Sequence, residues 1–147
     1  MRKHLQPKEL YVRKVGDRAV YSHVVMTDAP VTIYVAGQVP LDRDGNTVGQ
    51  GDMRAQIRQV GANLKAALAA AGATLADVVK TNTYVTDIDE FFRHADVRAE
   101  IFGKEPPTST TVVVKGLAHP GFMVEIEAIA VKEKAKPKAK AKVKKKT

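Results

Sequence analysis

The sequence of 147 residues predicts an α+β fold, in which helices pack on one face of a mixed sheet. Strand-like segments rich in β-branched residues occur in pairs near both ends of the chain, and two segments with helical periodicity lie between them. The predicted order of elements is β-β-α-β-α-β-β. Because two helices cover only one face of such a sheet, we expect the other face, with Val113, Met123 and Ile129, to close against another subunit.

The N-terminal part of the chain predicts a polar extension followed by a hairpin. Residues 1–18 are polar and mixed, with a weak strand signal at 11–15. Residues 19–26 and 31–36 are typical of strands, and turn residues at 27–30 separate them. Gly37 ends the second strand at a point where backbone can approach a ligand closely, although glycine is also common at an ordinary strand end.

The middle of the chain predicts two helices and one strand. Asp52 caps the first helix and Gly72 ends it. Apolar residues at spacings of three and four give this helix one buried stripe, formed by Met53, Ile57, Val60, Leu64, Ala67, Leu68 and Ala71. Residues 77–85 predict a strand. A second helix begins at Asp87 or Asp89 and ends at Gly103, and its apolar face includes Phe91, Ala95 and Phe102.

Residues 107–131 are interpreted as two strands joined by a turn. Residues 108–114 are almost all β-branched, residues 115–121 contain two glycines and a proline, and residues 122–131 alternate. In a tight hairpin, Thr111 lies opposite Glu125. In the same register, Ser109 lies opposite Glu127, so two hydroxyls and two carboxylates share one patch of the sheet. The alternative is a solvated face with two surface glutamates, because glutamate is usually exposed.

The whole net charge of +8 arises from the C-terminal segment. Of the 24 basic and 16 acidic residues, nine lysines and one glutamate lie in residues 132–147, which leaves 15 of each sign in residues 1–131. The segment 132–147 has few apolar residues and is predicted to be disordered. Such a segment either stays solvated or binds nucleic acid without sequence specificity, through counterion release.

Composition also indicates the cellular context. The chain has no cysteine, so it has neither a disulfide framework nor a thiol nucleophile. No apolar run approaches the length of a membrane span, and the N-terminal residues lack the apolar core of a secretory signal. We therefore expect a cytoplasmic protein that does not bind membranes. No metal site is predicted, because paired ligand spacing is absent among the four histidines, His4, His23, His94 and His119.

Three segments resemble the signature segments of the Rid/YjgF family: VAGQVPLD at 35–42, ADVVKTNTYVTDIDEF at 76–91 and VEIEAIAV at 124–131. The resemblance covers residues 19–131, and the order of elements matches as well. It implies a chorismate-mutase-like fold and a homotrimer with small-molecule clefts between subunits. It also implies hydrolysis of reactive enamine or imine intermediates to a carbonyl compound and ammonia, without a metal or an organic cofactor. Older labels for the family include translation inhibitor and endoribonuclease.

The resemblance also implies the residues of the site. Glu125 matches a glutamate that positions water, and Tyr21 matches an aromatic residue of the first strand. Gly37 matches a backbone amide contact, and Thr111 matches a small thiol or hydroxyl position. Ser109 stands where the deaminase branch of the family has an arginine that binds the substrate carboxylate.

The absence of that arginine predicts an altered substrate range. Arginine holds a carboxylate through two parallel charge-assisted hydrogen bonds, which serine cannot form. We expect weak activity on ordinary 2-imino acids, unless Lys115 or Arg98 reaches the cleft and supplies the charge. Three functions are open at this point: an enamine or imine deaminase, a trimer that binds a small ligand without catalysis, and a nucleic-acid-associated protein that uses the basic tail.

Overall fold

The computed structural model describes residues 1–8, 11–12, 14–19 and 21–133. The segment 134–147, which carries most of the predicted lysine-rich tail, lies outside the described residues. The strands are β1 (Arg2–Leu5), β2 (Lys14–Val15), β3 (Arg18–Ala19), β4 (Val24–Thr27), β5 (Val31–Gln38), β6 (Val78–Val85), β7 (Thr108–Val113) and β8 (Val124–Lys132). The helices are α1 (Met53–Ala70), α2 (Ile88–Arg93) and α3 (Ala95–Phe102), with a 3-10 turn at Leu75–Asp77.

A four-stranded mixed sheet forms the centre of the domain, with its strands in the order β5-β8-β6-β7. Strands β6 and β7 run parallel, whereas β8 is antiparallel to both β5 and β6. Helix α1 packs on β5 and β8 and also contacts α3. The predicted α+β class, with helices on one face of a mixed sheet, is therefore confirmed. We call the covered side the helix face and the opposite side the open face.

Helix α1 supplies much of the core on the helix face. Asp52 caps it, because its carboxylate accepts a hydrogen bond from the backbone N–H of Ala55 at 3.0 Å. The predicted apolar stripe is fully buried at Met53, Ile57, Val60, Leu64 and Leu68. Each such side chain contributes about 1.5–3 kcal/mol relative to exposure. Gly72 adopts a positive φ of 65° and ends the helix as predicted.

The second predicted helix is divided into α2 and α3. Asp87 begins α2, and its carboxylate accepts a hydrogen bond from the backbone N–H of Glu90 at 2.9 Å. His94, with φ −110° and ψ 27°, departs from helical geometry and separates the two helices. The apolar face continues across the break, because Phe91 and Phe102 are both buried.

The predicted N-terminal hairpin is wrong. Strand β4 pairs with β1 rather than with β5, and residues 21–23 belong to no strand. The reason is that this segment binds the residues before β7. The backbone N–H of Ser22 donates to the carbonyl of Pro107 at 2.9 Å, and the Ser22 hydroxyl donates to the carbonyl of Pro106. These bonds commit residues 21–23 to the β7 side of the domain.

The predicted pairing of the last two strands is also wrong. Strand β6 lies between β7 and β8, so Thr111 pairs with Thr83 and Glu125 pairs with Tyr84. Turn residues enforce a hairpin when the connection has about two to five residues. The connection at 114–123 is longer and can pass one strand, because neighbouring strands are only about 4.8 Å apart.

The residues found on the open face differ in part from those predicted to lie there. Tyr34 and Ile129 are paired on this face, and Tyr34 is 78% exposed. Val113 pairs with the buried Val85 and therefore belongs to the helix face, whereas Met123 packs against the core. The prediction is thus correct for Ile129 and wrong for Val113 and Met123. An apolar residue nevertheless remains exposed on the side without helices.

Candidate functional site

Polar and aromatic side chains line a pocket between the sheet and helices α2 and α3. The pocket has a volume of about 380 Å³, which is the size of a small-molecule site. Its walls combine hydroxyls, aromatic rings and a guanidinium. We call it the helix-side pocket, and its main lining residues are Tyr21, Phe91, Phe92, Arg98, Ser109 and Thr111.

Tyr21 reaches the pocket because the bonds of Ser22 hold this segment beside the start of β7. The Tyr21 hydroxyl donates to the backbone carbonyl of Tyr11 at 3.1 Å. Nε2 of His23 lies 3.0 Å from the same carbonyl oxygen, and its ring meets the Tyr21 ring edge-on at a centroid distance of 5.2 Å. The hydroxyl of Tyr21 therefore fixes the N-terminal segment, while its ring forms part of the pocket wall.

Ser109 and Thr111 lie two residues apart on β7, so their side chains project to the same face. Their partners on the parallel strand β6 are Thr81 and Thr83, which are both buried on the helix face. Within the described part of the chain, the Thr83 hydroxyl makes no hydrogen bond. The helix face thus carries a band of four hydroxyls along β6 and β7, and the pocket lies over its β7 side.

Arg98 brings a positive charge to the same pocket from helix α3. Its side chain is only 6% exposed, and one of its terminal NH₂ groups donates to the Thr81 hydroxyl at 3.1 Å. The guanidinium carbon lies 4.9 Å from the ring centre of Phe102. Burial lowers the pKa of Arg98 to about 10, so the group keeps its charge at neutral pH. Lys115, the other predicted cation, is exposed beyond β7 and does not line this pocket.

Gly37 and Glu125 form a second group, away from the helix-side pocket. The pairing of β5 with β8 shifts at a bulge between Val35 and Gln38. Gly37 lies in this bulge, and a Cβ atom added to it would lie 2.0 Å from Oε1 of Glu125. The Glu125 carboxylate therefore occupies space that only glycine leaves open.

The two glutamates of β8 have different surroundings on the open face. Glu127 accepts hydrogen bonds from Nδ2 of Asn82 at 2.7 Å and from the Tyr84 hydroxyl at 3.0 Å. These bonds, that of Asn82 first, lower the pKa of Glu127, and the bond to Glu127 raises the pKa of Tyr84. Glu127 is thus a structural acceptor within the sheet, whereas Glu125 lies against the backbone of the bulge.

The predicted site residues are therefore divided between two places. Tyr21, Ser109 and Thr111 meet in the helix-side pocket, and Gly37 and Glu125 meet at the β5 bulge. Glu125 pairs with Tyr84 on the open face, so the sheet lies between its carboxylate and the pocket. A site that uses all five residues needs a second copy of the chain.

The pocket also contains residues that the sequence interpretation does not assign to a site, namely Tyr11, Phe91 and Phe92. Arg98 is named there only as one of two candidate cations. A signal for Arg98 does exist, because residues at spacings of four, three and four form one helical face: Phe91, Ala95, Arg98 and Phe102. A charge within an apolar stripe indicates a buried or functional role. Tyr11 has no such signal, since its contact with Tyr21 is not local.

Among the described residues, no group of three or more His, Cys, Asp or Glu side chains is placed to hold a metal ion. The same part of the chain contains no helix that is long and apolar enough to cross a membrane. The acidic loop at 42–46 is closed on itself, because Asp42 accepts hydrogen bonds from the backbone N–H groups of Asp44 and Asn46, both at 2.9 Å.

Comparison with protein families gives a match over most of the chain. A family model described as Endoribonuclease L-PSP matches residues 13–132. The chain therefore belongs to this family, which is the YjgF/Rid family that its signature segments indicate.

Curated relatives are similar over about 70% of the chain. A RutC family protein from Pyrococcus horikoshii is 42% identical over 101 residues, which cover 69% of this chain and 79% of the relative. Protein DfrA from Myxococcus xanthus is 41% identical over 111 residues, which cover 76% of this chain and 84% of that protein.

Solved structures show the same fold. The Rid family protein YyfB from Yersinia pestis, described as a protein of unknown function, is 35% identical with a TM-score of 0.78, and the match covers 88% of this chain and 98% of that one. TdcF from E. coli, solved with bound serine, is 30% identical with a TM-score of 0.64, and the match covers 73% of this chain and 85% of that one. The predicted chorismate-mutase-like fold is thereby confirmed.

Proposed function

We propose that the protein hydrolyses reactive enamine or imine intermediates to a carbonyl compound and ammonia, in a cleft between the subunits of a homotrimer. The observation that carries the proposal is the helix-side pocket, in which Tyr21, Ser109 and Thr111 meet beside Arg98. Membership of the family supplies the reaction class by analogy, and the pocket supplies a space of suitable size and polarity. Water is the only co-substrate, so the reaction needs no cofactor.

Imine hydrolysis begins with the addition of water to the carbon of the C=N bond. A carboxylate base takes a proton from the water as its oxygen attacks the protonated imine, which gives a neutral carbinolamine. The carboxylic acid then returns this proton to nitrogen, and the carboxylate takes the hydroxyl proton as the C=O bond forms, the C–N bond breaks and ammonia leaves. This last proton passes to ammonia or to solvent, which restores the carboxylate. An enamine enters the same route after protonation on carbon. Glu125 is the candidate base, because Glu127 is already engaged by Asn82 and Tyr84.

The proposal places the reaction between subunits because Glu125 and the pocket lie on opposite faces of one sheet. The open face favours assembly, since it exposes Tyr34 (78%), the partner of Ile129, and also Val112 (42%) on β7. Exposed apolar residues on an uncovered sheet face are typical of interfaces. Assembly would supply the pocket of one subunit with the Glu125 carboxylate of its neighbour.

Two alternative functions, each from another class of protein, are also proposed. The first is a trimer that binds a small ligand without hydrolysing it. The same pocket supports it, and TdcF from E. coli binds serine, a small molecule with a carboxylate. The second is a nucleic-acid-associated protein, which rests on the nine lysines of residues 132–147. Neither alternative gives Glu125 a chemical role, so this residue distinguishes them from the hydrolase.

The test generates 2-imino acids with an amino-acid oxidase and measures the formation of 2-oxo acids with and without the protein. Acceleration for one or more side chains supports the hydrolase. Glu125→Gln should abolish this acceleration and leave assembly intact, while Glu127→Gln, the neighbouring carboxylate on the same face, should retain it. Absence of acceleration with every imino acid would contradict hydrolysis of this substrate class. Full activity in Glu125→Gln would remove Glu125 from the mechanism.

A further inference from the structure

We propose that Gln6 is a positioning residue of the helix-side pocket, because its side-chain carboxamide holds the backbone of residues 21–23 and thereby the Tyr21 ring in the pocket wall. The inference rests on the proposed function for the identity of this pocket as the ligand site. Tyr21 lines the pocket, and Gln6 acts on it through the backbone. The N-terminal segment thus takes part in forming the site.

Strand β1 ends one residue before Gln6. Its last pair with β4 is Leu5 with Val24. Pro7 follows Gln6, and the proline ring fixes φ at about −65°, far from the value of about −140° in an antiparallel strand. The backbone ladder therefore stops before it reaches residues 21–23, which belong to no strand. One edge of this segment is left to bonds from side chains.

The carboxamide of Gln6 makes two bonds on this edge. Its Nε2 donates to the carbonyl of Tyr21 at 2.6 Å, and its Oε1 accepts from the backbone N–H of His23 at 3.1 Å. In an extended segment, the backbone groups of residues two apart point to the same edge, and those of the residue between them point to the other. The N–H of Ser22 accordingly donates on the opposite edge, to the carbonyl of Pro107 at 2.9 Å. One side chain thus replaces two bonds of a strand ladder.

The bonds of Gln6 determine where the Tyr21 ring lies. The Tyr21 hydroxyl donates to the carbonyl of Tyr11 at 3.1 Å, so the far end of the side chain is held as well as its backbone. The ring between these two anchors lines the pocket. Without the carboxamide, the Tyr21 carbonyl loses this bond and the ring can turn out of the wall. The bonds of Ser22 remain, so the segment stays beside β7 and the fold is retained.

A purely stabilising role for Gln6 makes different predictions. The side chain is exposed, so its removal opens no cavity and should change Tm only slightly. If Gln6 only tethered the N-terminal segment, its replacement would lower Tm without altering the Tyr21 ring or ligand binding. Lys3→Ala is the matched control, because Lys3 is also exposed and lies in the same segment, on β1.

The experiment labels the full-length protein with 3-fluorotyrosine and records fluorine NMR spectra. The chain has four tyrosines, and Tyr21→Phe assigns the resonance of Tyr21. Gln6→Ala and Gln6→Glu should both shift or broaden this resonance, because neither new side chain donates to the Tyr21 carbonyl at neutral pH. The resonances of Tyr34 and Tyr84, on the open face, should stay in place. Lys3→Ala should leave all of them unchanged.

The same variants are then assayed for hydrolysis of 2-imino acids. We expect Gln6→Ala to raise KM about fivefold, which corresponds to the loss of one or two neutral hydrogen bonds. The value of kcat should stay within about twofold, since a displaced Tyr21 ring weakens ligand binding without moving the catalytic base. Lys3→Ala should match the unmodified protein in both constants.

An unchanged Tyr21 resonance in both Gln6 variants would overturn the proposal, and so would a shifted resonance with an unchanged KM. An equal shift in Lys3→Ala would also overturn it, because the displacement would then arise from the whole N-terminal segment rather than from the carboxamide. The spectra involve no turnover, so a Tyr21 resonance that shifts in Gln6→Ala supports the positioning role even if imine hydrolysis fails. Hydrolysis with an unchanged resonance would retain the proposed function and overturn the positioning role.

Discussion

The carboxylate of Glu125 occupies the place where a side chain at Gly37 would begin. A Cβ atom at residue 37 would lie 2.0 Å from Oε1 of Glu125, far inside van der Waals contact. The bulge of β5 brings the glycine backbone against this carboxylate, so two residues distant in sequence form one structural unit. The glycine therefore has a packing role at this position, beyond that of an ordinary strand end.

Gly37→Ala should displace the Glu125 carboxylate without unfolding the protein. The φ angle of Gly37 is not positive, so alanine fits the backbone, and the clash involves the end of a flexible side chain. Rotation of Glu125 relieves this clash at a cost of about 1 kcal/mol. We expect kcat for imine hydrolysis to fall about tenfold or more, since misplacement of a catalytic base is costly. Steady-state kinetics and thermal unfolding measure the two effects.

Gly116→Ala is the control for this substitution. A Cβ atom added to Gly116 meets nothing within 4 Å, so both kcat and Tm should stay unchanged. If Gly37→Ala keeps full activity while its structure shows a displaced Glu125, the position of this carboxylate does not matter for the reaction.

Protonation of Glu127 should lower the stability of the protein in acid. Hydrogen bonds from Asn82 and Tyr84 lower its pKa below the ordinary value of 4.5, so the unfolded chain takes up the proton more readily. The stabilisation is therefore present above about pH 4.5 and is lost as the pH falls through the lowered pKa. Thermal unfolding between about pH 7 and pH 3 should show a smaller acid-induced fall in Tm for Glu127→Gln than for the unmodified protein.

If Tm falls equally with pH in the variant and in the unmodified protein, the acid sensitivity arises from other carboxylates. Asp96 is the first to examine, because its bond to Arg54 lowers its pKa as well. The comparison of variant with unmodified protein isolates Glu127, since every other carboxylate is common to both.

Tyr34→Glu should weaken assembly through the open face. Tyr34 is 78% exposed there, and Glu127 already carries a negative charge on the same face. A further carboxylate buried at an interface without a partner costs several kcal/mol. Light scattering at micromolar concentration should report a trimer for the unmodified protein and smaller species for the variant. Lys65→Glu, on the exposed side of α1, should leave the trimer intact. A monomeric unmodified protein would exclude the inter-subunit cleft.

Local signals predict the helices of this fold better than the pairing of its strands. The caps Asp52 and Asp87 and the stop at Gly72 depend on residues within one turn. Asp52 and Gly72 are found as predicted, and Asp87 is one of the two caps predicted for the second helix. Strand partners depend on distant segments. The turn residues at 114–123 have the same composition whether the chain reverses into a hairpin or passes β6, so the order of β6, β7 and β8 could not be deduced from them.

The same distinction applies to the site. Tyr21, Ser109 and Thr111 of the helix-side pocket could be named from the family resemblance, but their separation from Glu125 could not, because it depends on which strand lies between β7 and β8. The incorrect hairpin placed Thr111 and Glu125 on one face, whereas the observed register places them on opposite faces. Arg98 could have been singled out by its place in the apolar stripe of α3.

The segment 134–147 should bind polyanions independently of the folded domain. It carries eight lysines, no acidic residue and no aromatic residue that could stack on bases. Mobility shifts with duplex DNA and RNA should therefore be independent of sequence and should weaken steeply with salt. Deletion of 134–147 should abolish them and leave assembly unchanged. Lys132 is retained in this variant, because its Nζ donates to the carbonyl of Gly72 at 2.6 Å.

A scrambled tail of the same composition is the control, and it should bind as the natural tail does. Binding that persists after the deletion, or that prefers one sequence at physiological salt, would mean that the folded domain itself recognises nucleic acid. An assay of RNA cleavage by the folded domain would then test whether the family's description as an endoribonuclease applies to this chain.

Ser109→Arg should raise the activity on ordinary 2-imino acids, because Ser109 lines the helix-side pocket and stands where the deaminase branch of the family has its carboxylate-binding arginine. Arginine holds a carboxylate through two parallel charge-assisted hydrogen bonds, which serine cannot form. We expect a gain of about tenfold in kcat/KM. Ser109→Gln supplies length without charge and should leave kcat/KM unchanged. If Ser109→Arg gives no gain, or if the unmodified protein already matches an arginine-bearing family member on these substrates, the side chain at position 109 does not limit carboxylate binding.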